Sequence, residues 1–425
     1  MMFFRRWIQR VRTVLFAASA ACAGGAGSPS PAPVAADGTL ASVLPLALDS
    51  TTTSDGLEAV GRAIGDRSIV LIGENGHGVG QFSTWKVRLV RHLHERHGFD
   101  VVAFESGFHE CREAEERAGS EAPVAIAQRC LIVQLHHAEI LPLFEYAQRV
   151  RQSARPLTIA GIDLQVQSFA SRTRPQTLRR AIQAADAPLA DRLAELDSVL
   201  IEKSFQPVDS LRAFLRQHAH SLKALYDSAA VMMQGDIQWL LLGNSELMRR
   251  EIIRLDALAD GQEVPASVYE VREQWMARSI ARAAGMGSGR PGKIVVWLHN
   301  DHARYGEWDA GSARVRSTGQ FLRERLPGQV FSIGLVMGAG TFADNFRQVR
   351  QVAPADTLGL ERLFAGAGHR IGWLLLTDTR NPLVARWASA VHTYSRGDIR
   401  ASMRPGHEFD ALVYFDSVFP PTYIR

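Results

Sequence analysis

The chain has 425 residues, of which 46% are hydrophobic and 22% charged. That is enough apolar material for one large core, or a core with an insertion, and too little charge density for a disordered chain. The formal charge of +4 is local: Arg5, Arg6, Arg10 and Arg12 are the only charged residues before Asp37, and setting them aside from the 48 lysines and arginines leaves 44, equal to the 44 acidic residues. A remainder with no net charge gives no compositional reason to expect nucleic acid as a partner.

In chain order, residues 1–23 read as a signal peptide: four arginines, then a short apolar run from Val14 to Ala21 flanked by small residues. The run is too short to span a bilayer. The expected location is therefore outside the cytoplasm, periplasmic or extracellular. Lipidation of Cys22 is the alternative and the only route to a membrane, although Ser19-Ala20-Ala21 lacks the leucine of a good lipobox. Residues 24–38 form a Gly/Pro/Ala/Ser linker with nothing to bury. Cys111 and Cys130 can pair in an oxidising compartment. Two separate buried thiols are the default expectation, and two cysteines cannot build a Cys-rich zinc site.

From 39 to 425, short apolar β-rich runs alternate with helical stretches. Strands are expected at 68–72, 101–104, 157–162, 293–298 and 330–337, with later candidates at 373–377 and 411–415. Helices are expected near 81–97, 139–151 and 318–325. Continuous apolar strands between amphipathic helices predict an α/β fold: a mainly parallel or mixed central sheet flanked by helices. The stretch from about 175 to 285 has helical periodicity and is too long for one crossover, so it is expected to form a helical insertion or cap.

Polar and ionisable residues follow four of these strands: Glu74 and His77 after the first, Glu105 after the second, Asp163 and Gln165 after the third, His299 and His302 after the fourth. Functional groups in open α/β sheets collect at the carboxyl ends of parallel strands. Glu74 and His77 share a glycine-flanked loop, GENGHG. A neutral histidine oriented by a carboxylate can take a proton from water. His299 and His302 are candidates to stabilise an oxyanion or hold the attacking water. Lys86 on the following helix, and Arg272 at the end of the insertion, are candidate substrate contacts with Asp163 and Gln165. The same cluster allows a divalent metal as an alternative, with Glu74, His77 and His299 as ligands.

Several motifs are decoys. GSGRPGK at 287–293 ends in Ile294 and precedes a strand, so it is a turn and not a phosphate loop. His94-Glu95-Arg96-His97 is one residue short of zinc-protease spacing. No Gly-x-Ser-x-Gly elbow occurs, which argues against a serine esterase.

Together the segments IGENGHG (72–78), QFSTWKVRL (81–89), GFDVVAFES (98–106), HAEILPLFEYAQ (137–148), AGIDLQ (160–165), VREQWMA (271–277), VVWLHNDH (295–302), TGQFLRERL (318–326) and MGAGTF (337–342) resemble the erythromycin esterase-like family. The resemblance implies a hydrolase of carboxylic esters or lactones, a relative of enzymes that open macrolides and so confer resistance, with no required cofactor. It carries the role of water-activating base onto His77. It assigns the other catalytic positions to Glu74, Glu105, His299 and His302, and the basic helix position to Lys86. Relatives frequently have Glu where this chain has Gln81 and Asn where it has Ser279, which leaves the substrate open. An export signal also fits poorly with protection of cytoplasmic ribosomes. Two other functional classes compatible with these residues are a non-catalytic envelope protein binding haem or another ligand, and a tailoring enzyme for an envelope polymer.

Overall fold

The computed structural model describes residues 37–48, 55–166, 168–286, 292–378 and 381–424. The signal peptide, Cys22, nearly all of the linker and most of the 287–293 turn lie outside them.

Thirteen strands are described: β1 (Leu44–Pro45), β2 (Ile69–Ile72), β3 (Phe99–Gly107), β4 (Thr158–Asp163), β5 (Lys293–Trp297), β6 (Glu307–Ala310), β7 (Ala313–Arg316), β8 (Val330–Ala343), β9 (Val349–Gln351), β10 (Ile371–Leu375), β11 (His392–Arg396), β12 (Ile399–Met403) and β13 (Ala411–Val418). The central sheet runs β1-β10-β13-β8-β2-β5-β3-β4, with β9 paired to the end of β8. Every pairing from β13 to β4 is parallel, and β1, β10 and β9 pair antiparallel. The sheet is therefore mixed, with a parallel centre, and the fold is α/β as expected. Two antiparallel hairpins, β6-β7 and β11-β12, lie outside it.

Burial explains the near-continuous apolar strands. Val70, Ile72, Val102, Phe104, Val295 and Trp297 pack into one core with Phe82, Trp85 and Leu89 of the helix Gly80–His97. The alternate residues Ile69, Leu71, Ala103, Ile294 and Val296 pack on the other face against Met276 and Ile280 of the helix Ala266–Ala283. Successive strand side chains point to opposite faces, so a sheet covered on both sides needs apolar residues at every position.

Five helices, Arg174–Ile182, Ala187–Ser204, Val208–Ala230, Gly235–Ala259 and Ala266–Ala283, occupy the interval between β4 and β5. They share a third core that includes Leu193, Leu222, Tyr226, Leu241 and Met248. The last of them belongs to both units: Trp275 packs in the helical core while Met276 and Ile280 pack on the sheet. Arg272 and Glu273 ride on this helix.

Cys111 and Cys130 form a disulfide, which corrects the expectation of separate thiols. Helix Phe108–Arg117 and helix Pro123–Cys130 turn back on each other, bringing the two Cα atoms to 4.0 Å. The spacing of 19 residues could not reveal that turn. Closing a loop of this length restricts the unfolded chain by about 3 kcal/mol. A Cys111→Ala, Cys130→Ala protein should therefore denature at clearly lower denaturant than the oxidised parent. Coincident curves would remove the bond from the account.

Candidate functional site

Along the sheet, β2, β5, β3 and β4 are neighbours, and their carboxyl ends place the predicted residues in one row. Glu74 and His77 follow β2, His299 and His302 follow β5, Glu105 lies near the end of β3, and Asp163 ends β4. Strand β3 runs three residues beyond its predicted end, and its register with β4 shifts between Phe104 and Gly107, on either side of Glu105.

The GENGHG loop is set by close packing. A Cβ on Gly73 would sit 2.2 Å from Asn300 Oδ1, and one on Gly78 would sit 2.0 Å from the Ala343 carbonyl oxygen. Neither has positive φ. These glycines are needed for approach to β5 and β8, and not for an unusual backbone turn. The Asn300 N–H donates to the Glu74 carbonyl at 2.8 Å, tying the two loops together.

His77 Nδ1 lies 2.7 Å from Glu74 Oε1, and Lys86 Nζ donates to Glu74 Oε2 at 2.8 Å. Burial opposes the Glu74 charge, but the Lys86 ammonium and His77 outweigh it and hold the carboxyl at about 2. Burial also pulls Lys86 down to about 8, against the pull of Glu74. Lys86 is fully buried and stands 4.7 Å over the Trp297 ring. Where a substrate contact is expected from sequence, the ammonium is sealed from solvent and spent on Glu74.

A second network surrounds Arg272. Its guanidinium donates to Asp163 Oδ2 at 2.7 Å through Nη2 and 3.0 Å through Nε, and to Glu105 Oε1 at 2.7 Å. Burial opposes its charge; Asp163 and Glu105 outweigh that and raise its pKa above the usual value. With its carboxamide oxygen toward the cations, Gln165 accepts from Arg272 Nε at 3.2 Å and from Arg250 Nη1 at 3.0 Å. Asp163 is fully buried, and its carboxylate is bound by Arg272.

His302 lies between two carboxylates, with Nδ1 2.6 Å from Glu273 Oε1 and Nε2 3.2 Å from Glu105 Oε1. Burial disfavours its charge, but Glu105 and Glu273 raise its pKa to about 10. Arg272 Nη1 is also 3.2 Å from Nε2. A doubly protonated ring cannot accept there, so the Glu105 contact is the hydrogen bond and Arg272 is a charged neighbour. A histidine whose pKa rises from 6.5 to about 10 contributes stability that is complete below pH 6.5 and is lost as pH rises toward 10. His302→Gln should remove that component: the stability gap between parent and variant should narrow from pH 7 to pH 10. A constant gap would contradict a charged His302.

His299 joins the networks. Its N–H donates to Glu105 Oε2 at 2.9 Å, and its ring centroid is 5.4 Å from that of His77. Its Nδ1 accepts the Asp301 N–H at 3.2 Å, capping the short helix Asn300–Ala303. Burial lowers its pKa, against the raising pull of Asp301. The Asp301 carboxylate also approaches Nδ1 at 3.3 Å but is bound by Arg396 of β11. A neutral ring accepting at Nδ1 carries its proton on Nε2.

Sequence reasoning missed Glu273, Asp301 and Arg396. Glu273 adjoins Arg272 in VREQWMA and was within reach of the motif; Arg396 lies in a remote hairpin with no local signal. Gln81 accepts the Phe419 N–H at 2.9 Å, so at this departure the side chain helps hold the chain after β13. The proposed metal set has little free donor capacity. Glu74 spends both oxygens on His77 and Lys86, and His299 spends Nδ1 on the Asp301 N–H. A cleft with about 270 Å³ of empty space, counting space open to solvent, is lined by Phe108, Asp163, Gln165, Trp239 and Trp275. The cleft shares Asp163 and Gln165 with the row, and His77 is not among its lining residues.

The erythromycin esterase family model matches residues 94–418. The chain belongs to the erythromycin esterase family. That match begins after Glu74 and His77, so it covers the Glu105 and His299 ends of the row and leaves the GENGHG loop to geometry. A putative hydrolase, YbfO, of Bacillus subtilis is 23% identical, with 89% of this chain and 90% of that protein covered. Erythromycin esterase type I of Escherichia coli is 26% identical over 61% of this chain and 67% of its own length. Among solved structures, a succinoglycan biosynthesis protein superposes with TM-score 0.77 at 18% identity, covering 92% of this chain and 98% of that one. A mutant of erythromycin esterase EreC in its open conformation superposes with TM-score 0.64 at 16% identity, covering 89% and 98%. These superpositions show a shared fold. The family and the hydrolase-named relatives support a hydrolase.

Proposed function

We propose that this erythromycin esterase family member is an exported hydrolase of carboxylic esters or lactones, in which His77 activates water directly and no serine nucleophile takes part. The observation that carries the reading is the Glu74–His77 pair at 2.7 Å, with Glu74 held ionised by buried Lys86. An ionised Glu74 keeps the His77 proton on Nδ1 and leaves the Nε2 lone pair as the base. In the proposed step, Nε2 takes a proton from water as the water oxygen bonds to the ester carbonyl carbon. The carbonyl oxygen becomes an oxyanion, which the Nε2–H of His299 stabilises, an effect of about 2–4 kcal/mol for a well-placed donor. Collapse breaks the bond to the leaving oxygen, and His77 returns its proton there, giving an acid and an alcohol.

The Cys111–Cys130 disulfide supports a location in an oxidising compartment. Macrolides enter as candidate substrates through the Escherichia coli relative's name, alongside simpler esters and lactones. The test is acid release by the purified mature protein from aryl esters, simple lactones and macrolides, each with and without chelator. Hydrolysis of at least one class, unchanged by chelator, is expected. Hydrolysis abolished by chelator and restored by a divalent ion would replace direct water activation with metal chemistry; inactivity across all three classes would overturn the ester reading.

A further inference from the structure

Helix Gly80–His97 carries Lys86 into the catalytic row, and two histidines nearer its far end meet a glutamate from another helix. His92 and His97 lie on this helix, and Glu58 lies on the helix Asp55–Ile64 packed beside it. One donor atom from each of the three falls within 4.8 Å of the others. Glu58 Oε2 is 3.4 Å from His92 Nε2 and 3.9 Å from His97 Nε2, while Glu58 Oε1 faces Arg62 at 3.7 Å. One carboxylate oxygen is therefore aimed at two imidazole nitrogens.

Those nitrogens have no other use. His92 Nε2 and His97 Nε2 are both shielded from solvent without a hydrogen-bond partner, and His92 is only 9% exposed. The helix packing makes room for the arrangement: a Cβ on Gly61 would lie 2.2 Å from His97 Nε2. A buried imidazole nitrogen without a hydrogen bond is costly, and a cation held between these two nitrogens and the Glu58 oxygen would satisfy all three.

We infer that Glu58, His92 and His97 form a binding site for a divalent transition-metal ion, of which zinc is the best match, outside the catalytic row. Two imidazoles and a carboxylate are a common zinc donor set, and a water would complete a tetrahedron. The site joins the helix Asp55–Ile64 to the helix Gly80–His97. His92 lies six residues beyond Lys86, about 9 Å along the helix axis. The ion is thus a clamp between helices, with no place in the proposed water attack.

The test is titration of the purified, chelator-stripped protein with Zn2+ by calorimetry, and with Co2+ by visible absorption. One tight zinc per chain and a tetrahedral cobalt spectrum are expected, with an increase in Tm on loading. His92→Gln and His97→Gln should each weaken zinc by about 100-fold or more, since loss of a supporting group alone reaches that range. His77→Asn should bind zinc as the parent does. His97 is the more exposed of the pair, so His97→Gln carries the test if His92→Gln fails to fold. No stoichiometric zinc in the parent, zinc retained in the folded histidine variants, or zinc lost in His77→Asn would each overturn the inference.

Discussion

Arg272→Met is expected to destabilise the protein by about 3–5 kcal/mol, the range for removing one partner from a buried charge network. Arg272 is the shared cation of Asp163 and Glu105, whose side chains are 0% and 8% exposed. Methionine keeps much of the volume and leaves two carboxylates facing each other without their guanidinium. Asp163 must then take up a proton or water, Glu105 keeps only His302 as its cation, and its hold on the His299 N–H loosens. Activity should fall with stability for that reason. Arg272→Lys should be intermediate, because lysine restores charge but not the planar fork that reaches both acids. Denaturant unfolding of the three proteins measures this. A methionine variant within about 1 kcal/mol of the parent, below what an uncompensated buried charge costs, would show that the network is not the support described.

Much of this support was legible because it follows from strand ends. Apolar runs located β2, β3, β4 and β5, and the first ionisable residue after each proved to be a neighbour of the next in space. Parallel strands share one carboxyl edge, so that placement needs no knowledge of strand order. The order itself, with β5 inserted between β2 and β3, was not legible, and it is what brings His299 against His77. The fate of Lys86, Asp163 and Arg272 depended on burial. Sequence marks them as charged, and only packing shows that Lys86 and Asp163 are sealed behind the groups they hold. Glu273 was overlooked because adjacent helix residues point about 100° apart, so naming Arg272 did not name its neighbour. The disulfide and the Glu58–His92–His97 group arise from how helices turn back or pack together, which residue spacing does not reveal.

If His77 activates the attacking water, His77→Asn should abolish turnover. Asparagine retains a donor toward Glu74 but has no basic nitrogen. His77 is half-buried at a loop, and asparagine can keep the contact with Glu74, so the fold should persist. General-base catalysis contributes about 10²–10⁴-fold, so kcat/KM for whichever ester or lactone the parent hydrolyses should fall by at least that range's lower bound, with an unchanged unfolding curve. A variant of normal stability that hydrolyses the same substrate at close to the parent rate would show that His77 is not the base.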